Sequence, residues 1–300
     1  MKKAFLQLHI AVFLAGFTGI LGRLITLNEG MIVWYRLLIT AITMWILFGA
    51  MKKLKKIPFR EIFKICAVGF IASMHWVTFY GAIKYSNVSV ALVCFSAIGF
   101  FTAILEPLVL RKRINGMDLL LGVITILGIY VIFRFDTHYK TGIIIGVISA
   151  LLAALFPIYN RQILKTVNVE TMLAWQQTGG LVILSVILPF YLHYFPVESF
   201  LPGKWDLIWL LVLAWLCSVL AFQLQGNALK RLSAFTVNLT YNLEPVYGII
   251  LAFIIYKENQ LLSIYFYYGF AIIAFALILH IVLVVKEERK LKKNGVVGLS

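Results

Sequence analysis

The sequence predicts an all-α integral membrane protein of ten transmembrane helices, arranged as two inverted five-helix repeats. Three observations carry that prediction: an apolar composition, ten runs long enough to cross a bilayer, and an internal repeat at an offset of 146 residues. Of 300 residues, 62% are hydrophobic and 13% charged, with mean hydropathy +0.95, whereas soluble domains carry about a quarter charged residues. With 21 Gly, 7 Pro and 3 Cys, the chain is neither collagen-like, nor disordered, nor a disulfide scaffold.

A helix needs roughly 20 apolar residues to cross about 30 Å of hydrocarbon. Runs of that kind lie at about 4–27, 31–50, 62–83, 88–110, 117–134, 142–162, 170–192, 206–229, 233–256 and 262–285. The first follows Lys2 and Lys3 as a signal peptide would, yet it is too long and lacks a small-residue cleavage site, so it reads as a retained span. With a cytoplasmic N-terminus, 20 of the 27 Lys and Arg fall on the cytoplasmic side and 6 on the other, Arg36 lying within a span. That asymmetry predicts a multi-pass protein of the cell membrane with both termini in the cytoplasm.

The net charge of +15 is therefore topological. Scattered between apolar runs, it offers no gathered basic face, and no nucleic-acid partner is expected. Cys66, Cys94 and Cys217 lie inside apolar segments without a C-x-x-C pair, which fits packing. No metal and no cofactor is expected.

The repeat is visible in short matches. Ala82-Ile83-Lys84, before the fourth run, recurs as Ala228-Leu229-Lys230 before the ninth. Arg23 near the end of span one matches Arg161 near the end of span six, and Trp34-Tyr35-Arg36 falls opposite Ala174-Trp175-Gln176 after a two-residue shift. Because five is odd, the second half must enter the membrane upside down. The loop with six basic residues between Lys52 and Lys64 accordingly corresponds to one holding only Lys204. The units are 1–140, 141–287 and a basic cytoplasmic tail at 288–300. Inverted repeats are the mark of secondary transporters that rock about a midplane site.

The segment Ala228 to Glu258 contains Leu243-Glu244-Pro245-Val246 and closes on Tyr256-Lys257-Glu258. It resembles the second half of an EamA-type member of the drug/metabolite transporter superfamily, and Ala82-Ile83-Lys84-Tyr85-Ser86 is similar to the first-half counterpart. The resemblance implies ten helices, a central cavity between the halves, and export or exchange of small metabolites. The first half departs from the pattern: Gly99 stands at the usual span-four proline, and Arg111 or Lys112 at the closing glutamate.

Ionisable groups within spans are costly and mark function by default. Glu244 lies near the middle of span nine beside Pro245, with Thr240 and Tyr241 one turn earlier and Asn238 and Asn242 forming a polar stripe. It reads either as the coupling carboxyl or as a hydrogen-bonded carboxyl within the bundle. Arg36, five to seven residues into span two, is either a cavity cation paired with Glu244 or a substrate carboxylate, or a helix-to-helix tie. Arg23 and Arg161 are gate candidates at opposite mouths, with interface anchoring as the alternative. His75, Trp76, Tyr80, Tyr159, Trp175, Gln176, Gln223 and Asn227 supply aromatic and amide lining. His75 is otherwise a helix-packing residue. Glu106, near the cytoplasmic end of span four, is expected to pair with Arg111 to Arg113.

These features favour a transporter over an intramembrane enzyme, since there is no H-E-x-x-H, no G-x-S-x-G and no paired intramembrane aspartates. A channel would show a continuous polar face. The partners expected are the lipid bilayer and a small amphiphilic or zwitterionic solute such as an amino acid, bound by a monomer or weak homodimer.

Overall fold

In a computed structural model, residues 2–135, 137–197, 199–229, 240–241 and 243–293 are described. They are helical almost throughout. The helices are α1 (Lys2–Leu24), α2 (Glu29–Ala50), α3 (Phe59–Tyr85), α4 (Val88–Phe95), α5 (Ile98–Leu110), α6 (Gly116–Phe135), α7 (Lys140–Ile163), α8 (Val169–Tyr194), α9 (Lys204–Ala214), α10 (Ala221–Leu229), α11 (Glu244–Tyr256) and α12 (Ile264–Lys293). A π-helical stretch, Trp215–Leu220, joins α9 to α10. Among the described residues nine helical segments are long and apolar enough to cross a membrane, and α11 is a shorter apolar helix of 13 residues. Of the ninth expected span, 233–256, only this second part and residues 240, 241 and 243 are described.

Local chemistry sets the helix ends. Asn28 and Asn87 cap α2 and α4, their side chains accepting from the Met31 and Val90 amides at 2.9 and 2.8 Å, which satisfies donors that a helix start leaves open. At the other end, α5 and α11 both stop on a left-handed residue, Arg111 and Lys257, each with φ 53°.

These last two helices display the repeat residue for residue. Each has 13 residues. Their first residues, Ile98 and Glu244, and their left-handed caps, Arg111 and Lys257, are all related by the offset of 146 seen in the sequence. Span four breaks at Ser96 and Ala97, ahead of α5, and α11 begins at the corresponding place.

Repeat-related helices pack against one another running in opposite directions, which is direct structural support for inversion. Along α2 and α8 the successive contacts are Gly30 with Tyr191, Trp34 with Ser185, and Trp45 with Thr178. Just beyond α2, the Lys55 amide donates to Thr171. In α6 and α12, Asp118 meets His280 while Gly128 meets Gly269. In α4 and α11, Leu92 meets Gly248 while Val88 meets Glu258, just beyond α11. The remaining packing obeys the same exchange: α3 lies on α7 and α8, as the α9–α10 span lies on α1 and α2. Likewise α5 lies on α7 as α11 lies on α1.

Glycines set the closest crossings. A Cβ on Gly128 would stand 2.7 Å from the Gly269 carbonyl oxygen, and one on Gly16 would stand 2.8 Å from that of Glu244. Small residues of this kind are how membrane helices gain packing contact where lipid removes the hydrophobic drive. Large apolar side chains such as Leu127, Val186, Phe190 and Ile278 face outward, as a bilayer-facing surface requires.

Candidate functional site

Arg36 stands at the centre of the candidate site. It is only 3% exposed. Its Nε donates to Ser218 Oγ and its Nη1 to the Tyr80 hydroxyl, both at 2.9 Å, while Trp76 lies under the guanidinium with 4.2 Å from Cζ to the ring centroid. Trp76 and Tyr80, four apart on α3, thus share the face that the sequence predicts. The π-helical stretch brings Ser218 to Arg36, and the serine hydroxyl donates in turn to the Leu213 carbonyl five residues back at 3.2 Å. Such π segments recur at functional sites.

Glu244 lies within electrostatic reach of Arg36, as do Tyr80 and His75. It is not among the salt bridges of the described residues, so the expected Arg36–Glu244 ion pair is not formed. The physical reason is that Ser218, Tyr80 and Trp76 already fix the guanidinium. Arg36 therefore joins α2, α3 and the span containing Ser218, and carries a buried charge whose direct protein contacts are neutral. Glu244 also differs from expectation in its helix. It opens α11, and the Leu243 amide donates to Thr240 over three residues at 3.0 Å. Pro245 occupies the helix start, where its missing N–H costs nothing.

The other candidates are dispersed. His75 is buried, its Nδ1 3.1 Å from the Ser149 carbonyl and 2.9 Å from the Ser149 hydroxyl, which ties α3 to α7. Trp175 packs edge-on to Trp45 at 5.1 Å, inside a separate apolar cluster with Ile65, Val68 and Met172. Gln176, buried, bonds Asn160 at 3.4 Å, and neighbouring Tyr159 is exposed. Tyr241 packs on the start of α1 with Leu8, Val12 and Ala228. Asn227 is half-buried on α10. Asn238 and Asn242 lie outside the described residues. A cavity of about 420 Å³ is lined by Gln223 together with Thr43, Leu47, Met51, Trp215, Val219 and Leu220. It includes neither Arg36 nor Glu244.

The two gate candidates, Arg23 and Arg161, each meet an acid of the opposite half. Arg23 pairs with Glu258, which also accepts from the Val88 and Ser89 amides and the Ser89 hydroxyl. Arg161 approaches Glu106 at 3.4 Å. This corrects the expected partner of Glu106. Because α5 ends at Arg111 in a left-handed turn, Arg111 to Arg113 do not continue the helix, whereas α7 packs directly on α5.

The model of the EamA-like transporter family matches residues 2–134 and again 140–280. The chain belongs to the EamA-like transporter family. An uncharacterized transporter of Haemophilus influenzae is 26% identical to this EamA-like chain over 163 residues, 51% of this chain and 53% of its own. The chain thus spans about half the length of that relative. A solved crystal structure, 11% identical, superposes with a TM-score of 0.63 and covers 94% of this chain and 98% of its own. At that identity it shows the fold alone.

Family membership and the apolar helices make the EamA-like chain a multi-pass membrane protein. Three of its notable polar groups carry no signal in the sequence: Ser218, whose direction depends on a π turn, Ser149, a lone hydroxyl in an apolar run, and Lys84, which reaches the Ile25 carbonyl. Glu258 is visible as part of Tyr256-Lys257-Glu258, but its partners are not.

Proposed function

We propose that this chain is a secondary transporter that works by alternating access, exporting or exchanging small amphiphilic metabolites such as amino acids. The observation that carries the proposal is Arg36: a cation held in the bundle interior by neutral groups, at an interface between inverted repeats. A buried charge is costly without a counter-ion, and a solute carboxylate supplies one. Among the described residues Nε and Nη1 hold the protein groups, so Nη2 is the edge available to a solute. Glu244, near enough to feel Arg36, serves as the alternative counter-charge and as the proton-coupling carboxyl. The charge asymmetry of the loops supports cytoplasmic termini.

The test is transport in proteoliposomes, with solutes chosen by comparing metabolites of cells that overexpress and that lack the protein. Saturable flux with counter-substrate exchange is expected; a flux that does not saturate points to a channel. Glu244→Gln is expected to abolish accumulation driven by a pH gradient and to spare exchange at equal pH, which needs no net proton movement. Wild-type accumulation by that variant removes Glu244 from coupling. Arg36→Lys keeps the charge and loses the planar fork, so weakened solute binding is expected from it as well.

A further inference from the structure

Among the described residues the Arg23 mouth carries a fastening that the other mouth does not share, and an inference from it rests on the transport reading above. We propose that Glu258 is the latch of the transport cycle, and that Lys112, standing at its repeat position, biases the protein toward the state closed at the Arg23 mouth.

Glu258 is fully buried. It follows the left-handed Lys257 and turns its carboxylate onto the first half of the molecule. One oxygen accepts from the Val88 amide at 3.1 Å and pairs with Arg23, and the other accepts from the Ser89 amide at 2.8 Å and the Ser89 hydroxyl at 2.6 Å. Arg23 is held in turn over the Tyr256 ring, 4.3 Å from the centroid. A single carboxylate of the second half therefore fastens the start of α4 and the end of α1. Such charge-assisted bonds are strong when water is excluded, and separating the halves at this mouth breaks all of them together. Thr26 on Asp206 and Tyr191 on Glu29 add to the same closure.

Repeat positions 146 residues away show which parts of this arrangement the other mouth does not share among the described residues. The left-handed cap survives, Lys257 becoming Arg111 at the same φ of 53°. The carboxylate becomes exposed Lys112 and the ring under the arginine becomes Leu110. In sequence, the mate of the Ser89 hydroxyl is Phe235, which lies outside the described residues. The arginine is answered by Arg161, which lies 138 rather than 146 residues from Arg23, near the end of the equivalent helix and not at the strict repeat position. Without a carboxylate beyond the cap it reaches back to Glu106, with side chains 62% and 33% exposed. An ion pair in that setting is weak and screened by salt. The two closures are therefore unequal by sequence.

Spin-label pairs at exposed positions read each mouth in full-length protein in nanodiscs, with Cys66, Cys94 and Cys217 replaced. Tyr85 and Leu261 span the Arg23 mouth; Leu108 and Leu164 span the Arg161 mouth. Glu258→Gln is expected to raise the long-distance population at 85–261 roughly tenfold and shorten 108–164, the scale set by losing one charged partner. Lys112→Glu is expected to shorten 108–164, by giving Arg161 a latch of its own. Unchanged distances in either variant overturn the proposal. If Glu258→Gln does not fold, Lys112→Glu on the exposed surface decides alone. Because both readouts are distances, a protein that switches mouths without moving any solute keeps the latch and overturns the transport reading instead.

Discussion

The two arginine–glutamate pairs that join the halves use the same residue types and obtain different things from them. At one, Arg23, itself partly exposed, meets a carboxylate with no exposed surface and three further donors; at the other, Arg161 meets Glu106 across 3.4 Å with both side chains partly in the open. The supporting helices differ likewise. In α11 Gly248, Ile249 and Ala252 are buried, whereas α5 buries none of its residues. The strength of an ion pair thus comes from its surroundings more than from the charges, since desolvation removes the competing water and additional donors hold the geometry.

The largest expected effect on this contrast comes from Glu258→Ala. It strands the Val88 and Ser89 donors and Arg23 together, so a loss of roughly 3 kcal/mol is expected, read as a lowered unfolding temperature in detergent or nanodiscs. A change no larger than that of an exposed pair would erase the difference between the mouths. Arg36→Gln comes next. It leaves Tyr80 and Ser218 without their cation, and about 1–3 kcal/mol of stability should go together with solute binding. Full retention of binding by a folded Arg36→Gln protein would return Arg36 to a purely structural tie. The smallest effect belongs to Glu106→Gln, expected to cost less than about 1 kcal/mol. What remains of that cost should fade as salt is raised, because exposed pairs are screened over roughly 10 Å at 0.1 M. The Glu258→Ala cost should change little with salt, and equal salt dependence for the two variants would show that Glu258 is wetter than its burial implies.

Much of the architecture is legible in the sequence alone. The apolar runs predicted nine of the helical segments to within a few residues, because lipid obliges every spanning backbone to satisfy itself and the length of an apolar run is then a direct ruler. The offset of 146 between Ala82-Ile83-Lys84 and Ala228-Leu229-Lys230 reappears in the ends of α5 and α11. Candidate residues fared unevenly. Arg36, Trp76 and Tyr80 do come together, since intramembrane charge and i,i+4 spacing are properties of one helix. Trp175, Gln176, Gln223 and Tyr241, picked out by residue type, repeat position and spacing along one helix, lie apart from them, because none of those signals says which helix stands opposite.

By itself the sequence determined that this chain lives in a bilayer, that it is built twice, and which charges must be accounted for inside it. Hydropathy, charge asymmetry and repeat offset are one-dimensional quantities, readable along the chain. Only the tertiary structure decided which partner each charge takes. Glu106 lies five residues from Arg111 in the chain and 55 from Arg161, yet pairs with Arg161. Arg36 is met by a serine 182 residues away. Those choices depend on a left-handed turn at Arg111, a π turn before Ser218, and the crossing of inverted repeats, and no local pattern of residues encodes a distance between helices.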